Sequence, residues 1–104
     1  MNIKDFERDW MGKRVTFACC LRRTTVSKTE SSCDVRFKQW DLTQRSGAGW
    51  VTGVRWVANG RMDWVGEDEG WAWTTESSQP AAMVVTSAMI KPLFVPIESL
   101  TLDG

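Results

Sequence analysis

At Lys13 the apolar residues begin to recur at every second position, and that period restricts the stretch that carries it to a strand packed by one face. Val15, Phe17, Cys19 and Leu21 alternate with Arg14, Thr16, Ala18 and Arg22, the pattern of a half-buried strand. Val35 and Phe37, set against Arg36, Lys38 and Trp40, make a second short strand. Trp71-Ala72-Trp73 makes a further one, with both indoles on one side. Thr24 to Asp34 is polar, rich in Ser and Thr and without a period, and reads as a long loop or flexible hairpin end. Asp41 to Gly49 reads as a turn whose flexible part is Ser46-Gly47-Ala48-Gly49, and Glu76 to Pro80 as another. Ala81 to Ile90 is apolar and suits a strand or a short helix; Val84-Val85-Thr86 favours strand.

Asn59-Gly60 is the sharpest local signal, because this dipeptide is favoured in a two-residue type I′ hairpin turn. Such a turn pairs 49–58 with 61–65 and sets Arg55 opposite Trp64. One face then carries Val51, Arg55, Val57, Met62 and Trp64, and the other Trp50, Val54, Trp56, Asp63 and Val65. Neither face is cleanly polar, as in strongly bent barrel strands or in a sheet whose outer side meets a partner. Glu67-Asp68-Glu69, between Gly66 and Gly70, forms an acidic loop to the next strand.

The exception to the period of two comes first. Ile3, Phe6 and Trp10 lie on one stripe of a helix near residues 3–11, with Asn2 as its cap and Gly12 as its stop. So short a helix needs a surface to dock on, and plugging one end of a barrel provides it. The 104 residues make one domain, with the helix in 1–12 and the barrel in 13–104.

The ending Leu93-Phe94-Val95-Pro96-Ile97-Glu98-Ser99-Leu100 resembles the close of SH3 domains, where an aromatic, an aliphatic and a proline lead into a single 3-10 turn and a last strand. Gly49-Trp50-Val51-Thr52-Gly53-Val54-Arg55 is similar to the central strands of bacterial SH3-like and Tudor-like barrels. The resemblance implies a mainly β fold: a small SH3-like barrel of about five strands with a short N-terminal helix. It does not imply proline-peptide recognition, because the acidic and aromatic loop of eukaryotic SH3 domains has no counterpart between Val15 and Val35. In size and layout the chain also resembles small accessory proteins of bacteriophages, many of which bind host proteins.

The chemistry available is narrow. There is no histidine, the usual acid/base near neutral pH and the commonest metal ligand. Cys19, Cys20 and Cys33 lack a histidine partner for nucleophilic work, and three thiols without a second close pair do not make a zinc site. Free thiols, no leader-like N-terminus and no apolar run of roughly 20 residues point to a cytoplasmic protein without a membrane span, metal or cofactor. No phosphate-binding loop, dinucleotide fingerprint or nucleophile elbow is present, so no enzyme activity is expected. Thirteen basic and thirteen acidic side chains cancel, which disfavours grip on duplex DNA through phosphates.

Seven tryptophans are many for this length, and tryptophan is enriched at binding hot spots. Trp10 and Trp50 are the expected core rings. Trp40, Trp64, Trp71 and Trp73 are expected at the surface, with Arg55 and Glu67, Asp68 and Glu69 at the rim of a site centred on Trp64, Trp71 and Trp73. The favoured reading is a binding module that engages a protein partner through this aromatic and acidic surface, a homo-oligomer being compatible with it. The alternative is a nucleotide or single-stranded nucleic acid held by aromatic stacking with Arg55, and with Arg22, Arg23 or Arg61 near phosphates.

Overall fold

The computed structural model describes residues 2–87 and 91–103. A helix, α1 (Ile3–Trp10), precedes the strands β1 (Arg14–Phe17), β2 (Cys20–Glu30), β3 (Cys33–Thr43), β4 (Gly47–Gly66), β5 (Gly70–Val85), β6 (Leu93–Pro96) and β7 (Leu100–Leu102), with a single 3-10 turn, Ile97–Ser99, before the last. All pairings are antiparallel, in one sheet of seven strands with the order β3-β2-β6-β5-β4-β1-β7. The sheet is open, with β3 and β7 at its edges. It therefore replaces the expected closed barrel of about five strands.

The helix forms where its stripe predicts. Asn2 Oδ1 accepts from the Lys4 amide at 2.9 Å, and Gly12 turns the chain with φ +78°. Phe6 is buried, and Trp10 stacks on it at 5.1 Å between ring centres. Gly12 N–H then donates to the Val51 carbonyl at 2.7 Å, fixing the helix exit to β4.

The alternation that begins at Lys13 breaks once, at Ala18 and Cys19. Val15 and Phe17 are buried in β1, and Cys20 and Leu21 are both buried where β2 begins. Together with Phe6, Val51, Ala82, Val84, Val95 and Leu100, the buried residues of β1 and Cys20 form the main core. Leu21, Val57 and Ala81 form a second, smaller cluster, against which Trp40 and Phe94 pack. Trp50, expected in the core, is 43 % exposed. Its neighbours Gly49 and Val51 take the inward positions, Gly49 because a Cβ there would collide with the Val85 carbonyl. The Trp50 ring instead lies beneath the Arg14 guanidinium at 5.6 Å.

Two long hairpins project from this core. Thr24 to Asp34 is not a loop: β2 and β3 pair continuously from Cys20↔Thr43 to Glu30↔Cys33, and Ser31 and Ser32 make the turn with φ +47° and +65°. That sign at both central residues is the requirement of a type I′ turn. Asn59-Gly60, which sequence assigns to such a turn, lies inside β4, and neither residue has positive φ. The β4 chain runs on to Gly66, and the acidic residues Glu67 to Glu69 are the true hairpin tip, closed by Gly70 at φ +71°. Glu76 to Pro80, expected as a turn, lies within β5. Of the expected turn at Asp41 to Gly49, only Gln44 to Ser46 falls outside strands. The expected element at Ala81 to Ile90 is strand as far as Val85, and Ala88 to Ile90 lie outside the described residues.

Irregularities in the β4–β5 ladder, at Val51/Gly53, Asn59/Gly60 and Trp64/Gly66, bend the hairpin. At the middle one, a Cβ on Gly60 would strike the Thr74 carbonyl and the Trp73 ring. The Asn59 side chain reaches out of the strand to β3. Its Oδ1 accepts from the Trp40 amide at 2.7 Å, and its Nδ2 donates to the Trp40 carbonyl at 2.7 Å. Gln39 Nε2 returns a bond to the Gly60 carbonyl at 3.0 Å. One side-chain amide thus occupies the outer peptide groups of an edge strand, and holds the two hairpins together.

Candidate functional site: a basic aromatic cleft

The residues singled out from sequence separate into two places. Trp64 and Trp71 are cross-strand partners next to the acidic tip, edge to face at 5.4 Å. Trp73, 44 % exposed, lies two pairs further in, opposite Met62 and against Phe37 of β3 at 5.8 Å. The Trp71 indole N–H is buried without a hydrogen-bond acceptor among the described residues. Glu67, Asp68 and Glu69 are exposed at the tip. Trp64 and Trp71 also line a smaller cleft of ≈ 350 Å³, together with Lys28, Glu30, Met62 and Asp63. The geometry therefore brings together the indoles and acids of that end.

Arg55 is not among them. It pairs with Ala81 and not with Trp64, and the two lie nine residues apart along β4, roughly 30 Å at the usual strand rise. Trp40 is likewise distant from the tip: its ring meets Phe94 edge to face at 4.8 Å over the second cluster. Arg61, an expected phosphate contact, is engaged elsewhere. Its Nε donates to Asp63 Oδ2 at 2.7 Å and its Nη1 lies 3.9 Å from Glu76. The hydrogen bond and charge of Asp63, with the charge of Glu76, raise the Arg61 pKa.

Arg55 and Trp40 belong instead to a second cleft, of ≈ 750 Å³. Trp40, Leu93 and Phe94 give it an apolar floor, and Arg22, Arg23, Arg45, Arg55 and Lys91 surround that floor. Each cation comes from a different stretch of chain except the β2 pair, so the cluster is assembled only by folding. Arg23 lies over the Trp40 ring at 5.7 Å, where a cation gains about 0.5–1 kcal/mol when exposed. No carboxylate is among the described residues that line the cleft. The nearest in register is Asp41, across from Arg22, and its carboxylate accepts from Thr24 Oγ1 at 2.6 Å.

No known family matches this chain. Comparison with curated proteins and with solved structures likewise finds no match.

Among the described residues, no group of three or more His, Cys, Asp or Glu side chains is placed to hold a metal ion. Cys19 Sγ lies 2.9 Å from Ser99 Oγ, Cys20 is buried and Cys33 is exposed, all three as free thiols. No helix among the described residues is long and apolar enough to cross a membrane. Sequence reasoning missed Arg45, Lys91 and Phe94. Arg45 and Lys91 sit in connections without periodicity, and Phe94 figures in the sequence only as the aromatic of the SH3-like ending.

Proposed function

We propose that this domain is a non-catalytic binding module, and that its ligand is an anion held in the cleft around Trp40 and Phe94. The observation that carries this reading is the charge segregation of the cleft. A chain with formal charge zero gathers Arg22, Arg23, Arg45, Arg55 and Lys91 around one apolar floor, with no carboxylate among the described lining residues. Cations gathered around one cleft whose described lining holds no carboxylate leave a positive field that attracts an anion. Calorimetric titration with inorganic polyphosphate at low salt tests the reading. Arg22→Ala with Arg55→Ala, checked for retained folding by circular dichroism, should abolish the heat of binding. Unchanged binding by that double variant places the anion elsewhere.

A protein partner at the other end is the second reading, favoured by the unpartnered indole N–H of Trp71 beside the acidic tip. An apolar centre with a charged edge suits a protein interface. Trp71→Ala and Trp73→Ala, each folded, should lose a partner captured from lysate; equal capture by both removes that site. The strand, 3-10 turn and strand at Leu93–Leu102 support kinship with SH3-like barrels, and an accessory role of the bacteriophage type in a cytoplasm belongs to the same proposal.

A further inference from the structure

The geometry points to single-stranded nucleic acid as the ligand of the Trp40–Phe94 cleft, an inference that rests on the anion-binding reading above. Three features of the cleft select among anions. The first is its floor. Inorganic phosphate would satisfy the cations but has no flat apolar surface to cover the two rings, and an acidic peptide has one only where an aromatic side chain lies among its carboxylates. A nucleobase does, and stacking on aromatic side chains accepts any base because every base has a π-face.

The second is the distribution of charge. Arg22 and Arg23 rise from β2, Arg55 from β4, Arg45 from the β3–β4 connection and Lys91 from the segment before β6. Cations on several sides of one floor suit a backbone that passes over it, with phosphates at its edges and bases turned inward. Arg23 over Trp40 shows that the ring face is already open to a planar, delocalised group at 5.7 Å, and a base would exchange with that guanidinium and leave it to a phosphate.

The third separates single strands from duplex. In a duplex the bases are stacked on each other and cannot reach an aromatic floor. Duplex binding would then depend on the overall field, and the chain has formal charge zero with Glu67, Asp68 and Glu69 exposed at the far tip.

The test is fluorescence anisotropy with a labelled oligothymidylate, in parallel with the matching duplex and with inorganic polyphosphate of equal charge as competitors. The single strand should bind at least about tenfold tighter than either, with tryptophan quenching. Its affinity should fall with salt with a log–log slope no steeper than about −3.5, the value for five phosphate contacts to a single strand. Arg55→Ala should make that slope shallower by about 0.7. Trp40→Ala should weaken the single strand by roughly 5- to 150-fold and leave polyphosphate binding unchanged. Because Trp40 also packs against the second cluster, Trp40→Phe serves as the folded control, with an intermediate loss. Ultraviolet crosslinking of the bound oligonucleotide should place adducts on Trp40 or Phe94. Polyphosphate or duplex binding as tightly as the single strand overturns this inference and leaves an anion site. Crosslinks confined to Trp64, Trp71 and Trp73 overturn it as well. Absence of binding by every anion overturns both readings together.

Discussion

The two ends of the molecule are built on different terms. At the helix end, Val15, Val51, Val84 and Val95 are essentially inaccessible to solvent, and Phe6 and Phe17 close over them. At the hairpin end, no residue of β2 beyond Leu21, of β3, or of β5 before Ala81 is buried, and Gly60 is the last buried residue of β4. There, half-buried rings meet edge to face, and polar side chains bond strand to strand, as Lys28 Nζ does to the Met62 carbonyl at 3.2 Å. The first end supplies stability, because buried apolar area dominates the folding free energy. The second is a long, thin extension whose order depends on pairing and on the Asn59 contact. The basic cleft lies between the two, over the small second cluster, where a firm support meets exposed charge.

Substitutions should separate the ends. The largest effect belongs to Phe17→Ala, with a loss of about 3–5 kcal/mol expected for a large buried ring; denaturant melts measure it, and a loss below that of any hairpin-end variant would reverse the assignment. Next comes Asn59→Ala. It leaves the Trp40 N–H and C=O without their partners and should cost about 1–3 kcal/mol. The same variant should raise hydrogen exchange at the Trp40 amide while the Val51 and Val84 amides stay protected; uniform exchange would mean that the two ends open as one unit. Phe37→Ala, in the half-buried layer, should cost about 1 kcal/mol, the scale of one aromatic pair. The smallest effect is that of Glu67→Gln, Asp68→Asn and Glu69→Gln together. These exposed residues should change stability by less than about 0.5 kcal/mol, and they should leave anion binding by the distant cleft within error.

Sequence reveals the helix end more faithfully than the hairpin end, and the reason is physical. Burial writes a period into the chain, so Phe6 and Trp10 mark the helix stripe, and Val15 and Phe17 mark β1. A hairpin end with little burial leaves no such record. Thr24 to Asp34 lacks periodicity because one of its faces is only half-covered, and yet it forms strands through backbone pairing. The turn residues mislead in the same way. Ser31 and Ser32 adopt the left-handed conformation that sequence assigns to Asn59-Gly60. Asn59 is kept in strand by bonds to Trp40, and Gly60 is needed for the close approach of Thr74 and Trp73. Trp40 and Arg55 were legible as binding residues, but their companionship was not, because Arg22, Arg45 and Lys91 reach the same floor from separate stretches of chain.

The Asn59 contact also bears on how the protein ages. Asn-Gly is the dipeptide most prone to deamidation, in which the following backbone nitrogen attacks the side-chain amide carbon and closes a succinimide ring. Attack requires the side chain to fold back along its own backbone, and glycine ordinarily leaves room for it. Here the chain is extended, and the amide is turned outward and held by Trp40 through both its oxygen and its nitrogen. The reactive carbon is thus kept away from the Gly60 nitrogen for as long as β3 and β4 stay together. Should the ring close during a transient opening, hydrolysis would leave an aspartate or isoaspartate whose carboxylate faces the Trp40 carbonyl, acceptor against acceptor. The bond to the Trp40 carbonyl could not form again, and chemical damage at one residue would permanently loosen the fastening of the two hairpins.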